Sequence, residues 1–256
     1  MAFDMKEYEI GKRPLWAILA SLIIFLALVF FAVNCVAMGE GSRLLPIYSV
    51  ETPEKKVAVT FNCAWEADDI PEILALLKKY EAKATFFILG QWAKENPDSV
   101  KMIFEAGHEI GTHSNTHPDM AKTTMEKTRE ELLRSCEHIE KACGEKPKLF
   151  RAPGGSYSSE LIKTASEMGF ITIQWDVDSR DWKNKTAAEM VESVTKNVRR
   201  GSIILFHSGK KNTLEALPQI LEILKNGGYE FVKVSELVYA ENYTIDHTGR
   251  QHSLER

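Results

Sequence analysis

A basic surplus, a glycine-rich phosphate loop and a pairable set of cysteines are all missing from this 256-residue chain. Its 32 Lys and Arg against 36 Asp and Glu leave a net charge of −4, with both signs interspersed, so there is no electrostatic footprint for nucleic acid. Neither GxGxxG nor GxxxxGK follows the first strand-like run, which argues against a nucleotide-binding fold. Four cysteines are present, Cys35, Cys63, Cys136 and Cys143. Cys35 lies in an apolar run and the other three leave an odd thiol. Cys136 and Cys143 fall in one helical stretch, about 10 Å apart along its axis, too far to bridge. A disulfide scaffold is thereby excluded. No alternation of basic and aromatic residues marks a long binding groove.

What is present begins with LWAILASLIIFLALVFFAVNCVAM, Leu15 to Met38, uncharged over more than the roughly 20 residues that a membrane-spanning helix needs. Lys6, Lys12 and Arg13 precede it and only Arg43 follows closely, so the positive-inside rule puts the N-terminus in the cytoplasm and the bulk outside. The run is too long for the roughly 7 to 15 residues of a signal-peptide core, which favours an uncleaved single-pass anchor. The expected organisation is a cytoplasmic N-terminus (1–14), an anchor (15–38), a linker (39–54), a globular domain (55–238) and a polar tail (239–256). The tail, NYTIDHTGRQHSLER at its end, is expected to fray, with no role for His247 or His252.

Within the domain, short apolar runs alternate with amphipathic helical stretches. The strands expected are KVAVTF, ATFFIL, EIGTHS, KLFRAP, ITIQWDV, GSIILFHS and EFVKVSEL. Seven strands alternating with helices imply a parallel sheet wrapped by helices, and the even repetition suits a distorted (β/α) barrel better than the alternative, a doubly wound open sheet.

Chemistry in such folds gathers at the carboxyl ends of the strands. The unusual polar residues fall there: TFNCAWEADD after the first strand, GTHSNTHP with His113 and His117 after the third, RAPGG from Arg151 after the fourth, DVDSRDW with Asp181 and Trp182 after the fifth, and His207 closing the sixth. Scattered surface polars would not be confined to one end of five strands.

These five ordered motifs resemble the NodB-homology polysaccharide deacetylases, carbohydrate esterase family 4, over about Lys55 to Leu237. With the N-terminal anchor, the chain looks most like the membrane-anchored, sporulation-associated members. The resemblance implies a metal-dependent hydrolase that removes N-acetyl groups from GlcNAc or MurNAc units of an extracytoplasmic glycan, peptidoglycan or spore cortex. It implies a divalent metal, zinc with cobalt or nickel as substitutes, on His113 and His117. It implies His207 as the acid held by Asp181, Arg151 as the residue orienting the base, and Trp182, Ile204 and Phe206 as walls of the acetyl pocket. The first motif departs from the family's TFDDG. A gapless match puts Asn62 at the base position, Cys63 at a metal-ligand position and Ala64 at the glycine. An amide cannot accept a proton at neutral pH. A Cys63 thiolate is an acceptable zinc ligand or else an inert buried thiol, and Glu66, Asp68 and Asp69 are candidates for a substitute base or ligand. The competing expectation is an inactive glycan-binding or structural envelope protein on the same fold. A monomer is expected.

Overall fold

The structure, a computed structural model, describes residues 43–183 and 185–254. The expected anchor and N-terminus lie outside the described residues. Among the described residues no helix is long and apolar enough to cross a membrane.

Lys56–Cys63 (β2) is the axis of the fold. Seven of its eight residues are buried, as expected of a strand covered on both faces. It pairs in parallel with Ala84–Ile88 (β3) on one side and Ile203–His207 (β8) on the other. Outward from these lie Glu109–Thr112 (β4), Leu149–Phe150 (β5) and Ile171–Thr172 (β6) on the β3 side, and Val177–Asp178 (β7) beside β8. The order β6-β5-β4-β3-β2-β8-β7 is parallel throughout, as the sequence pattern predicts. The stretch read as one strand, ITIQWDV, divides between the two edges. Ile173 N donates to Phe150 O (2.8 Å) while Asp176 N donates to Ile203 O (3.2 Å), so one extended segment reaches both edges of the sheet. Between them Gln174 N donates to Ile47 O (2.7 Å). The last expected strand, EFVKVSEL, supplies only Glu230–Phe231 (β9), paired to β2, and then the short helix Val234–Leu237 (α8).

The helices are Ile70–Lys79 (α1), Gly90–Glu95 (α2), Pro97–Glu105 (α3), Met125–Cys143 (α4), Ser159–Glu167 (α5), Ala187–Asn197 (α6) and Lys211–Asn226 (α7). Several starts are written locally: Thr124 and Ser158 accept from backbone N–H groups three residues on, and Thr186 with Glu189 forms a capping box. Strand alternation then separates two apolar layers. Phe61 stacks between Phe86 (4.9 Å between ring centroids) and Phe206 (5.7 Å), a row across three strands that packs with Ile73, Leu77, Leu217 and Leu221 of the helices. Ala58, Phe87, Ile173 and Ile203 belong to a separate cluster with Ile47 and Val232 on the opposite face of the sheet.

The tail is ordered, contrary to the expectation of fraying. Tyr243–Ile245 (β10) and Arg250–Ser253 (β11) form an antiparallel hairpin, and Ser49–Val50 (β1), from the expected linker, pairs in parallel with β11. Asp246 builds the turn by accepting from Thr248 N, Thr248 Oγ1 and Arg250 N, with Gly249 at φ +80°. His252 is also not idle: its ring bridges the carboxylates of Glu51 (2.7 Å) and Asp246 (2.9 Å), which holds its pKa above the ordinary value.

One buried histidine gives the fold a pH dependence. His108, 6% exposed, accepts from Ala84 N at Nδ1, and burial pushes its pKa down to about 4. The unfolded chain takes up this proton near pH 6.5 and the folded chain only near 4. Above about 6.5 the group is neutral in both states. As pH falls from about 6.5 to about 4, the unfolded state binds more proton and stability is lost, by up to about 3 kcal/mol. Urea midpoints at pH 7 and 4.5 should converge for His108→Gln relative to wild type. An unchanged pH slope would count against this assignment.

Candidate active site

The HSNTH loop leaves the end of β4 and is held by a carboxylate from a helix. Glu131, on α4 and buried, accepts from Asn115 N (2.9 Å) and Thr116 N (2.8 Å) with Oε2, and from Thr116 Oγ1 (2.8 Å) with Oε1. These bonds sustain positive φ at two non-glycine residues, Ser114 (71°) and His117 (62°). Gly90, which donates to Ser114 O, must lack a side chain because a Cβ there would lie 2.5 Å from Asn115 Oδ1 and 2.6 Å from Ser135 Cα. The rings of His113 and His117 meet edge to face with centroids 5.2 Å apart. His113 Nδ1 donates to Arg151 O (2.8 Å), leaving the Nε2 lone pair available. Burial holds the pKa of both rings below the ordinary value, His113 well below, so both are neutral at pH 7.

Arg151, just beyond β5, is fully buried. Its Nη1 donates to Thr60 Oγ1 (2.9 Å) and Asn62 Oδ1 (3.1 Å), its Nη2 to Gln174 O (3.1 Å), and its guanidinium lies over Phe87 (4.0 Å from the ring centroid). Nε has no partner. Every oxygen on this cation is neutral. Asn62 thus occupies the position beside Arg151 that the resemblance gives to the base, as an amide.

Asn62 and His207 are register partners on β2 and β8. His207 Nδ1 donates to Asp181 Oδ1 (2.6 Å); Asp181 Oδ2 accepts from His207 N (2.6 Å) and from Thr213 Oγ1 of α7 (2.7 Å). Asp181 therefore fixes both the ring and its backbone and leaves Nε2 free. The rings of Trp65 and His207 meet edge to face with centroids 5.2 Å apart. Trp182, 52% exposed, follows Asp181 and donates from Nε1 to Asp178 Oδ2 (3.4 Å).

Three sequence expectations are corrected here by the two-residue period of a strand. Cys63 is fully buried in the helix-facing layer with Phe61, on the face of β2 opposite Asn62, and burial pushes its thiol up to about 12. Ile204 and Phe206 lie in that same layer and do not wall an acetyl pocket. Leu205, in register with Thr60, and Ile203 share the face of β8 that carries His207. Asp69 turns to the next loop, where its Oδ2 accepts from Gly209 N (2.7 Å), while Glu66 and Asp68 are exposed. Trp65, Glu131, Thr213, Gln174 and Leu205 were not singled out as site residues by sequence, since each is set by tertiary contact.

The metal implied by the resemblance is met in donor type but not in number. His113 and His117 are neutral imidazoles, suited to zinc, nickel or cobalt. A catalytic centre needs about three protein ligands, and no group of three His, Cys, Asp or Glu side chains suited to a metal occurs among the described residues. The pair does not by itself make that centre.

Comparison with known proteins is consistent across sequence and structure. A polysaccharide deacetylase family model matches residues 49–173. The peptidoglycan-N-acetylglucosamine deacetylase of Bacillus cereus is 39% identical over 196 residues, covering 75% of this chain and 92% of that protein. The peptidoglycan-N-acetylmuramic acid deacetylase PdaA of Bacillus subtilis is 32% identical over 202 residues, 77% of each chain. Among solved structures, a CE4 family pseudoenzyme from Bacillus anthracis superposes with a TM-score of 0.73 at 36% identity, over 81% of this chain and 72% of that one. A mutant of that pseudoenzyme with restored enzymatic activity gives a TM-score of 0.73 at 38% identity, over 75% and 70%. With seven parallel strands in this order and His207, Asp181 and Arg151 gathered at their carboxyl ends, the chain belongs to the polysaccharide deacetylase family.

Proposed function

We propose that the chain binds an N-acetylated glycan of the cell wall or spore cortex across the carboxyl ends of its strands and removes acetyl groups slowly. The observation that carries this reading is the intact His207–Asp181–Thr213 set. Cleaving an amide needs a proton delivered to the departing nitrogen, and a buried ring fixed at Nδ1 with Nε2 free is built to hold that proton. The slowness follows from Asn62, which cannot take a proton from the attacking water. A divalent ion, zinc by preference, would be held by His113 and His117. The domain works outside the cytoplasmic membrane, tethered as a single-pass protein by the apolar run Leu15 to Met38.

Acetate release from N-acetylated glycan oligomers, compared between wild type and His207→Ala, tests the reading. Low release that disappears in His207→Ala is expected. Equilibrium dialysis against zinc should give one ion per chain, lost in the His113→Ala/His117→Ala double variant; unaltered stoichiometry would return the pair to a plain loop role.

A second reading, glycan binding without turnover, is favoured by the amide on Arg151 and by the two-donor metal pair. It predicts retained glycan affinity with no acetate from either wild type or Asn62→Asp.

A further inference from the structure

The C-terminal hairpin and the segment that opens the domain meet at one histidine with a carboxylate at each ring nitrogen. His252 Nδ1 lies 2.7 Å from Glu51 Oε2, and its Nε2 lies 2.9 Å from Asp246 Oδ2. An ionised carboxylate only accepts. Both ring nitrogens must therefore carry a proton to make both bonds, and only the imidazolium does so. The neutral ring keeps one contact and turns a lone pair on the other carboxylate. Asp246 cannot swing away to suit it, because its Oδ1 already accepts from Thr248 N (2.8 Å), Thr248 Oγ1 (2.6 Å) and Arg250 N (3.1 Å).

The two pieces joined by the ring have little else to hold them. The parallel pairing of β1 with β11 covers two residues a side. Around it Tyr48 N donates to Gly249 O (2.8 Å), Glu51 N to Gln251 O (2.8 Å) and Tyr239 Oη to Glu51 O (2.8 Å). The opening segment is in turn laid against the large sheet. Ile47 N donates to Thr172 O (3.0 Å), Gln174 N donates to Ile47 O (2.7 Å), and Gln174 O accepts from Arg151 Nη2 (3.1 Å). A hydrogen-bonded path thus runs from this segment to the buried guanidinium.

The charged groups facing the ring are Glu51, Asp246 and, two positions back on the same strand, Arg250. The Arg250 Nη1 and Nη2 donate to Ser49 Oγ and Arg200 O (both 3.4 Å). Beyond Arg250 stand Arg199 and Asp176, paired with each other at 3.3 Å. The carboxylates prevail, Asp246 foremost, and hold the pKa of the ring above its ordinary value. His252 is 30% exposed, so its proton exchanges with solvent.

We infer that Glu51, His252 and Asp246 form a proton-operated clasp, which binds the hairpin to the opening segment while the ring is charged and frees it in alkaline surroundings. The stabilisation is present in full below about pH 6.5, the ordinary histidine value, and is lost as pH rises through the raised value of the folded chain. Through Ile47 and Gln174 the release loosens the support of Arg151. The clasp stands independently of the glycan reading above.

Hydrogen exchange read by mass spectrometry on the full chain in detergent tests it at pH 6, 7.5 and 9, each rate being divided by the intrinsic rate at that pH. At pH 6, peptides over 46–51 and 243–253 should exchange about three- to tenfold more slowly in wild type than in His252→Gln, the effect of two part-exposed ion pairs. At pH 9 the two proteins should exchange alike. His252→Arg, charged at every pH used, should keep the protection throughout. The peptide over Lys56–Cys63 should exchange equally in all three proteins. A ratio of wild type to His252→Gln that does not change with pH, or protection that His252→Arg also loses by pH 9, would overturn the clasp. Matching changes in the Lys56–Cys63 peptide would overturn it as well, by showing that the whole domain softens rather than one joint.

Discussion

Asn62→Asp raises acetate release from N-acetylated glycan by about 10²- to 10⁴-fold, the range credited to general base catalysis. The substitution changes one atom's chemistry at a place already shaped for it. Asn62 Oδ1 lies 3.1 Å from Arg151 Nη1, and the guanidinium is fully buried among neutral oxygens with Nε unpartnered. A carboxylate there would have a cation to hold its charge and an oxygen left over to take a proton. It would also relieve a buried charge that has no opposite, so the variant should be more stable than wild type by about 1–3 kcal/mol. Both effects are measurable on one preparation, acetate release with zinc, cobalt or nickel supplied and a urea midpoint. A variant that gains stability and binds glycan but releases no acetate would decide for the binding reading. No gain in either quantity would mean that Arg151 does not depend on position 62.

Asp181→Ala should do the most damage of any single change at the site. The buried carboxylate accepts from His207 N, His207 Nδ1 and Thr213 Oγ1 at 2.6, 2.6 and 2.7 Å. Its loss strands three donors in a place that water reaches poorly. At about 1–3 kcal/mol for each buried unsatisfied group, partly relieved by relaxation, the expected destabilisation is about 3–5 kcal/mol. Hydrolysis in the Asn62→Asp background should fall by about 10²-fold or more, because an untethered ring no longer aims its proton. Asp181→Asn separates the two effects: it keeps acceptor capacity and most of the stability, but its amide also offers donors that permit the wrong ring tautomer. A urea midpoint for Asp181→Ala within about 1 kcal/mol of wild type would show that the carboxylate is not the keystone described here.

Much of this was legible in the chain because parallel α/β folds write their layout in long-range alternation. The strand ends carrying His113, Arg151, Asp181 and His207 are readable as one cluster from the sequence, and in the structure Arg151 donates to Asn62 and His207 to Asp181. The failures have one physical origin each. Ile204, Phe206 and Cys63 sit at the ends of strands buried on both faces, where a continuous apolar run hides which residues point to which side. Their neighbours Leu205, Thr60 and Asn62 carry the interior face instead. Glu131 reads locally as part of a solvated helix face, and only the loop that closes over it turns it into a buried anchor. The tail was polar enough to suggest fraying, but Asp246 and Gly249 build a turn whose worth depends on β1, some 200 residues earlier.

That last pairing sets an order on synthesis. Strand β1 leaves the ribosome near the start of the domain, yet its partner β11 is made near the end, with Ser49 and Arg250 separated by 201 positions. Until the hairpin emerges, the backbone edge of Ser49–Val50 facing β11 has no strand to meet, and the nascent chain carries an open sheet edge. Closing so distant a contact is slow relative to local helix formation. The small sheet should therefore be the last part to lock, and a released chain truncated before Tyr243 should show a domain whose parallel core is built but whose first strand is still open to protease.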